Sequence, residues 1–407
     1  MFLPLDVKLL QPWRILSILE REGCTPAMDG CEWQKEASAS CAEGYYPVRK
    51  GEVFNGRYHV AQNLGCGYFS TVWLCQDLGK KRCVAVKVPK GGEDFAEAAL
   101  DEVMLLRCVN SKRRRDQASD HVIHFLDDFK MIGDNGFHVC LVFELLGPSL
   151  QSLLSSQGVQ GLPLPFVKKA TQQVLQGLHF LHKECRIIHA DIKPENILLC
   201  VAEGSLQTLL HKVAFQEHGT GAEPKRPGED VAAVLDCCNL MELGVKIADL
   251  GSACWTYKPF SKKIQTQPYR ALEVLLGLDY GTPADIWSTA CLVFELATGD
   301  RLFDPQAGQY FSRDDDHVAR IIELLGRIPP KVALFWKRAT TFFNRQGALL
   351  RMSWLSPYGL YHILTDKYSW PKHQASPLAS FLLPMLEYAP ERRAAADKCL
   401  QHPWLNT

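Results

Sequence analysis

From Tyr58 to about Val88, β-branched and aromatic residues alternate with polar ones around glycines, the period-two pattern of half-buried strands. That stretch predicts a small antiparallel sheet. Over residues 97–109 the period lengthens, with Ala98, Leu100, Leu105 and Leu106 at helical spacing, so a helix is expected there. A second strand pair is expected near 122–129 and 138–144. Beyond the turn at Gly147-Pro148, residues 166–182 predict a long apolar helix, and from Ala284 to Pro403-Trp404 the pattern is mostly helical. The fold class that follows is α+β. Residues 45–146 form a small β-rich lobe with one main helix, and 147–199 and 245–405 form a larger, mostly helical lobe. Residues 200–244 interrupt that lobe, and the Gly, Pro and charge between His218 and Asp230 mark a partly disordered surface insertion. Residues 1–44 are an N-terminal extension. Its apolar patches up to Leu19 are broken by Asp6, Lys8, Pro12 and Arg14, which excludes a signal h-region or a spanning helix and leaves a short packed amphipathic helix as the other reading.

Composition narrows the function. With 407 residues, 47% hydrophobic, the chain can bury a substantial core. Lys+Arg and Asp+Glu balance at 45 each, so recognition of a charged partner must come from local patches, and nucleic acid is disfavoured as the main ligand. The 15 cysteines are scattered, with Cys237-Cys238 as the one adjacent pair and no CxxC at zinc spacing. Reduced thiols and no structural metal are expected, which places the protein in the cytoplasm or nucleus.

The chemistry lies in four segments. Leu64-Gly65-Cys66-Gly67-Tyr68-Phe69-Ser70-Thr71-Val72 puts glycines where a backbone can approach phosphate oxygens, although a plain tight hairpin explains this run equally well. Val84-Ala85-Val86-Lys87 ends an apolar strand on a cation that needs an anion unless it snorkels to the surface. In His189-Ala190-Asp191-Ile192-Lys193-Pro194-Glu195-Asn196 an aspartate precedes an asparagine by five residues, and Lys246-Ile247-Ala248-Asp249-Leu250-Gly251 carries a second aspartate from a strand into glycine. In phosphoryl transfer these supply a base and two magnesium ligands. All four occur in the order that chemistry requires.

On these motifs the chain resembles the eukaryotic protein kinase family over roughly 58–405, which implies its bilobal fold with ATP and Mg2+ held between the lobes. By matching position, Leu64, Gly65, Gly67, Val72 and Ala85 would contact the nucleotide, and Lys87 would bind its α- and β-phosphates. The partner of Lys87 would be Glu102, chosen over Glu97 because it lies on the apolar helix face. Phe143 and Glu144 would begin the hinge, with Leu145 inside it. Asp191 would accept the hydroxyl proton, Lys193 would stabilise the moving phosphoryl group, and Asn196 and Asp249 would hold the metals. Lys193 favours serine or threonine over tyrosine substrates. Glu273 pairing with Arg393, and Asp285 bracing the catalytic loop, would be fold support. Ala190 stands where many kinases have an arginine that receives an activation-loop phosphate, so constitutive activity is expected.

A narrower resemblance is to the SR-protein-specific kinases, most similar to their muscle-type branch or a shortened form of it. It rests on Tyr45-Tyr46-Pro47-Val48, Leu162-Pro163-Leu164-Pro165, Ile187-Ile188-His189, residues 191–199, Asp249-Leu-Gly-Ser-Ala-Cys-Trp255, Gln265-Thr-Gln-Pro-Tyr-Arg270 and the run from Thr282 to Asp300. The resemblance implies serine phosphorylation in arginine-serine-rich splicing factors, a monomer, no direct nucleic-acid or membrane partner, and substrate laid near 265–270. It also implies a docking groove at Asp300, Asp316, Glu323 and Lys367. The charges agree: Asp314-Asp315-Asp316 is the densest acidic run, and Glu323 lies seven residues, two helical turns, beyond Asp316. Simple capping of a helix over 316–325 explains the aspartates as well. Family members usually carry a far longer charged spacer at 199–245. A kinase with proline-directed or other basic targets, and a weakly catalytic scaffold for basic proteins, are the alternatives.

Overall fold

A computed structural model describes residues 44–113, 117–156, 161–201, 239–259, 261–329, 339–344, 347–352 and 354–406. The expectations for the N-terminal extension before Gly44 and for most of the insertion fall outside them. The chain divides into two compact units, one of residues up to Arg107 with His124–Leu145, the other of Cys108–Ile123 with the chain from Leu146 onward. Residues 108–123, expected in the small lobe, thus count with the larger unit.

The smaller unit holds a six-stranded sheet in the order β1-β2-β3-β4-β6-β5. Its strands are β1 (Val53–Phe54), β2 (Tyr58–Cys66), β3 (Ser70–Asp77), β4 (Arg82–Pro89), β5 (Phe125–Gly133) and β6 (Gly136–Glu144), all antiparallel to their neighbours. Tyr58, Val60, Val84, Val86, Val88, Cys140 and Val142 face one core, so their alternation along the strands is what fixes the register. Helix α1 (Glu93–Lys112) begins four residues before the apolar period does, because Glu93 and Asp94 occupy its first turn, where the helix dipole favours them. Its buried face runs through Ala99, Glu102, Val103, Leu106 and Val109, whereas Leu100 is exposed.

The larger unit is mostly helical. Helices α2 (Leu150–Ser156) and α3 (Leu164–His179) come first, and α3 continues as a π-helical turn over Phe180–Cys185 that ends on Arg186 in the left-handed region. Short antiparallel pairs join β7 (Ile187–Ile188) to β10 (Cys254–Trp255) and β8 (Ile197–Cys200) to β9 (Gly244–Ile247). Helix α4 (Pro283–Thr298) is buried almost throughout, which is why it shows a continuous apolar run instead of a stripe. Helix α5 (Arg313–Leu325) starts three residues earlier than expected, because Ser312 and Asp315 close a capping box there. Helix α6 (Lys372–Leu382) lies near the C-terminus. Arg393 makes a two-pronged pair with Glu273 at 2.7 and 2.9 Å, with both side chains inaccessible, and donates further to the Pro283 and Glu387 carbonyls. The described cysteines are free thiols. Among the described residues no helix is long and apolar enough to cross a membrane.

Candidate active site

In the smaller unit, Gly65 opposes Val72 and Val72 opposes Lys87 across β2, β3 and β4. Directly opposed residues of antiparallel strands share a face, so the three form one row. Ala85, two residues along β4, shares that face, opposite the core face of Val84 and Val86. The Lys87 ammonium meets both oxygens of Glu102 at 3.0 and 2.9 Å, which supplies the anion its position demands. Glu102 is buried and Glu97 exposed, so the choice between them from the apolar face holds. Gly67 N–H donates to Ser70 O at 2.9 Å and closes the turn between β2 and β3. A Cβ on Gly65 would meet nothing within 4 Å, so packing within the chain gives no reason for a glycine there, while the approach of a ligand does. Leu64 beside it is exposed. Glu144 ends β6 and accepts from His124 N–H at 2.8 Å, and Leu145 closes the unit.

In the larger unit, pairing of Ile197 with Ile247 puts Asn196 and Asp249 at the same end of the β8–β9 ladder, where Ala248 N–H donates to Asn196 O at 2.8 Å. The Asn196 amide nitrogen donates to the Asp191 carbonyl at 2.9 Å and to its carboxylate at 3.2 Å, which turns the amide oxygen the other way. The loop between β7 and β8 is braced by Asp285, fully buried on α4. Its carboxylate accepts from the His189 and Ala190 amides and from His182 Nε2, each at 2.8 Å. His189 Nε2 faces the Ala248 carbonyl and Nδ1 accepts from Asp191 N–H, so the ring proton sits on Nε2. Ala190, Asp249 and Gln265 all have positive φ, at 65°, 60° and 68°. Such backbone costs on the order of 1 kcal/mol per residue and clusters where surroundings hold a site in place.

Asp191 is the centre of this unit's polar cluster. One carboxylate oxygen pairs with Lys193 Nζ at 2.7 Å, and the other accepts from Thr266 N–H and Oγ1 at 3.1 and 2.7 Å. Lys193 also donates to Thr266 Oγ1 at 3.0 Å. In the sequence, the one signal for Thr266 and Gln265 is their place in the 265–270 run. Buried Gln265 donates to Ala284 O and Ser288 Oγ and accepts from Ala271 N–H, and its own N–H donates to Ala190 O. Arg270, also buried, donates to the Ile264 and Gln265 carbonyls and to the Gln267 side chain; burial draws its pKa down. Residues of the 264–271 segment therefore hold it in shape through their own hydrogen bonds.

The four expected docking residues do not make one open acidic surface. Asp300 accepts from Lys367 at 3.0 Å and from Tyr368 Oη at 2.7 Å, and these bonds, Tyr368 first, hold its carboxyl below the usual range and so ionised. Asp316 is mostly buried and accepts from Gln306 N–H and Arg320 Nε at 2.8 and 2.7 Å, while Glu323 accepts from Ser356 N–H at 3.0 Å. Of the acidic run, Asp315 serves the cap and pairs with Arg351 at 2.8 Å, and Asp314 accepts from Gln267. Capping thus accounts for Asp315, and Asp300, Asp316 and Glu323 each already have a partner of their own.

A glycine-rich turn, a paired strand lysine, a braced aspartate loop and a strand-end aspartate, in that order along the chain, define a protein kinase, and residues 58–405 match the protein kinase domain family. The chain is 38% identical over 513 residues to SRSF protein kinase 3 of Sus scrofa, covering 92% of this chain and 91% of that one. It is 41% identical over 384 residues to the serine/threonine-protein kinase SRPK of Physarum polycephalum, 89% of each, and 36% over 451 residues to protein kinase dsk1 of Schizosaccharomyces pombe, 89% and 83%. The chain belongs to this SRSF protein kinase family of serine/threonine kinases. Because the first alignment is longer than the 407 residues of this chain, the relative carries stretches that have no counterpart here.

Proposed function

We propose that this kinase transfers the γ-phosphate of Mg-ATP to serines in arginine-serine-rich segments of splicing factors. The observation that carries the reading is the Asp191–Lys193–Thr266 cluster, in which a carboxylate is charge-compensated by Lys193 and held by Thr266, as a base for a substrate hydroxyl would need to be. The relatives' names support the substrate class.

Lys87, held by Glu102, would bind the α- and β-phosphates, with Gly65 and Gly67 admitting them close to the backbone and Leu64, Val72 and Ala85 beside them. Glu144 and Leu145 would offer backbone groups to adenine. Asn196 and Asp249 present hard oxygen donors, one carboxylate and one amide, which suits magnesium, an ion that takes one or two protein ligands and completes its shell with phosphates and water. Bound there, magnesium would supply positive charge to offset the negative charge of the phosphates. Asp191 accepts the serine proton as the serine oxygen bonds to the γ-phosphorus and the bond to the ADP oxygen breaks; Lys193 offsets charge on the moving phosphoryl oxygens. Asp300, Asp316 and Glu323 would steer arginines outside the site, with Lys367 as the resident cation that they displace, each exchangeable pair contributing about 0.2–1 kcal/mol. An incoming guanidinium would take the place of Arg320 at Asp316 and of Lys367 at Asp300.

Ala190 offers no cation to a phosphate, and the 264–271 segment is held by its own Gln265 and Arg270. Phosphatase-treated protein is expected to phosphorylate an arginine-serine peptide at an undiminished rate and to leave a serine-proline peptide without arginine unlabelled. Loss of most activity that an upstream kinase restores, or equal labelling of both peptides, would contradict this reading.

A further inference from the structure

The tip of the turn between β2 and β3 has little of its own to hold it. Gly67 N–H to Ser70 O closes the turn, but Tyr68 and Phe69 at the tip are 49% and 42% exposed. Its carbonyls are taken by a residue that precedes the sheet. The hydroxyl of Tyr45, 6% exposed, donates to Gly67 O at 2.8 Å and to Tyr68 O at 3.0 Å. Lys90, at the end of β4, places its ammonium 4.4 Å from the Tyr45 ring centroid and 4.5 Å from that of Tyr68, within cation–π reach of both. Backbone bonds flank this contact, with Lys90 N–H donating to Phe69 O at 2.9 Å and Gly91 N–H to Gly44 O at 2.8 Å. Gly44 enters at φ 85°, a conformation that suits glycine.

We infer that Tyr45 is a positioning residue for the nucleotide: it straps the tip of the glycine-rich loop in the conformation that receives phosphates. The inference rests on the reading of that loop as the phosphate-binding element. A loop that alternates between a held and a loose state binds nucleotide in proportion to the held fraction, so a strap sets affinity without touching the ligand. Tyr45 and Lys90 act together. The ring carries the hydroxyl to the two carbonyls, and the ammonium holds the Tyr45 and Tyr68 faces to either side of it. The strap sets the held fraction of the loop and not the placement of the base Asp191, so the chemical step is expected to be unchanged once nucleotide is bound.

The test uses the full chain with Tyr45→Phe, which keeps the ring and removes only the hydroxyl, and Lys90→Met, which keeps the stem. The dissociation constant for Mg-ADP is measured by calorimetry, kcat and peptide KM at saturating ATP by phosphate transfer, and amide exchange over residues 64–70 without nucleotide. Tyr45→Phe is expected to weaken Mg-ADP about fivefold, the effect of one hydrogen bond, and to speed exchange at the loop tip. Its kcat and peptide KM should stay within about twofold, since only the held fraction changes. Lys90→Met should shift binding in the same direction. An unchanged Mg-ADP constant in Tyr45→Phe overturns the inference, as does a fall in kcat and melting temperature with no change in binding, which is what a merely structural tyrosine would give. Absence of phosphate transfer by the unaltered protein would contradict the proposed function instead, with binding and exchange still deciding the strap.

Discussion

Asp249→Ala is expected to lower phosphate transfer on the order of a thousandfold, about 4 kcal/mol of transition-state stabilisation, while leaving the melting temperature nearly unchanged. Asp249 is exposed at the end of the β8–β9 ladder, so its removal strands no buried charge. Asp249→Asn, which tolerates the left-handed backbone at φ 60° and keeps one oxygen, should lose activity with even less effect on the fold. Lys87→Met makes an instructive contrast. It should lose a similar factor in rate, but it leaves Glu102, 4% exposed, without its ammonium, so the protein should also melt earlier. Steady-state transfer and thermal unfolding separate the two effects. An Asp249→Ala protein with more than about a tenth of normal activity would remove Asp249 from the proposed metal site, because a lost ligand of that kind costs far more.

Glu273→Ala should destabilise the larger unit by about 3–5 kcal/mol, because it leaves the buried Arg393 guanidinium with two carbonyls and the Trp287 ring but no anion. For a unit of this size that corresponds to a fall in melting temperature of about ten degrees. The same deletion at Arg107–Asp128, where the arginine is 64% exposed, should cost no more than about 1 kcal/mol. Replacing both Glu273 and Arg393 by apolar residues of similar volume should recover much of the loss, since the penalty lies in stranding one charge. Calorimetric melting of the three variants checks all of this; equal shifts for the buried and the exposed pair would refute the argument from burial.

The elements most legible from the sequence were those whose chemistry and period coincide. Lys87 at the end of an apolar strand demanded an anion, and Glu102 on the buried helix face provides it. Alternation over 58–88 pointed to β2, β3 and β4, but β1 is too short to show a period. Strand β6, buried over six consecutive residues, shows none, so its union with β5 and the rest into one six-stranded sheet was not legible. Helix α5 began early because a capping box involves Ser312, a polar residue that apolar periodicity passes over. Helix α1 buried Ala99 and Val103 and left Leu100 outside, since a 20-residue helix with a low apolar content admits more than one face. Thr266 was invisible for a different reason: it lies 75 residues from Asp191 in the chain, and only the fold brings its hydroxyl to that carboxylate. The acidic run, conversely, looked more available than it is, because sequence shows charge and hides partners such as Arg351 and Arg320.

The most direct test of the central claim is labelled-phosphate transfer from Mg-ATP to an arginine-serine repeat peptide and to its lysine-serine version, using the full chain and Asp191→Ala side by side. The account predicts labelling of the arginine-serine peptide in preference to the lysine version, and its loss in Asp191→Ala with peptide binding retained. Undiminished labelling by Asp191→Ala would contradict the role of Asp191 as the base, and peptide binding by the unaltered protein with no transfer at all would leave a scaffold for basic proteins in place of the enzyme.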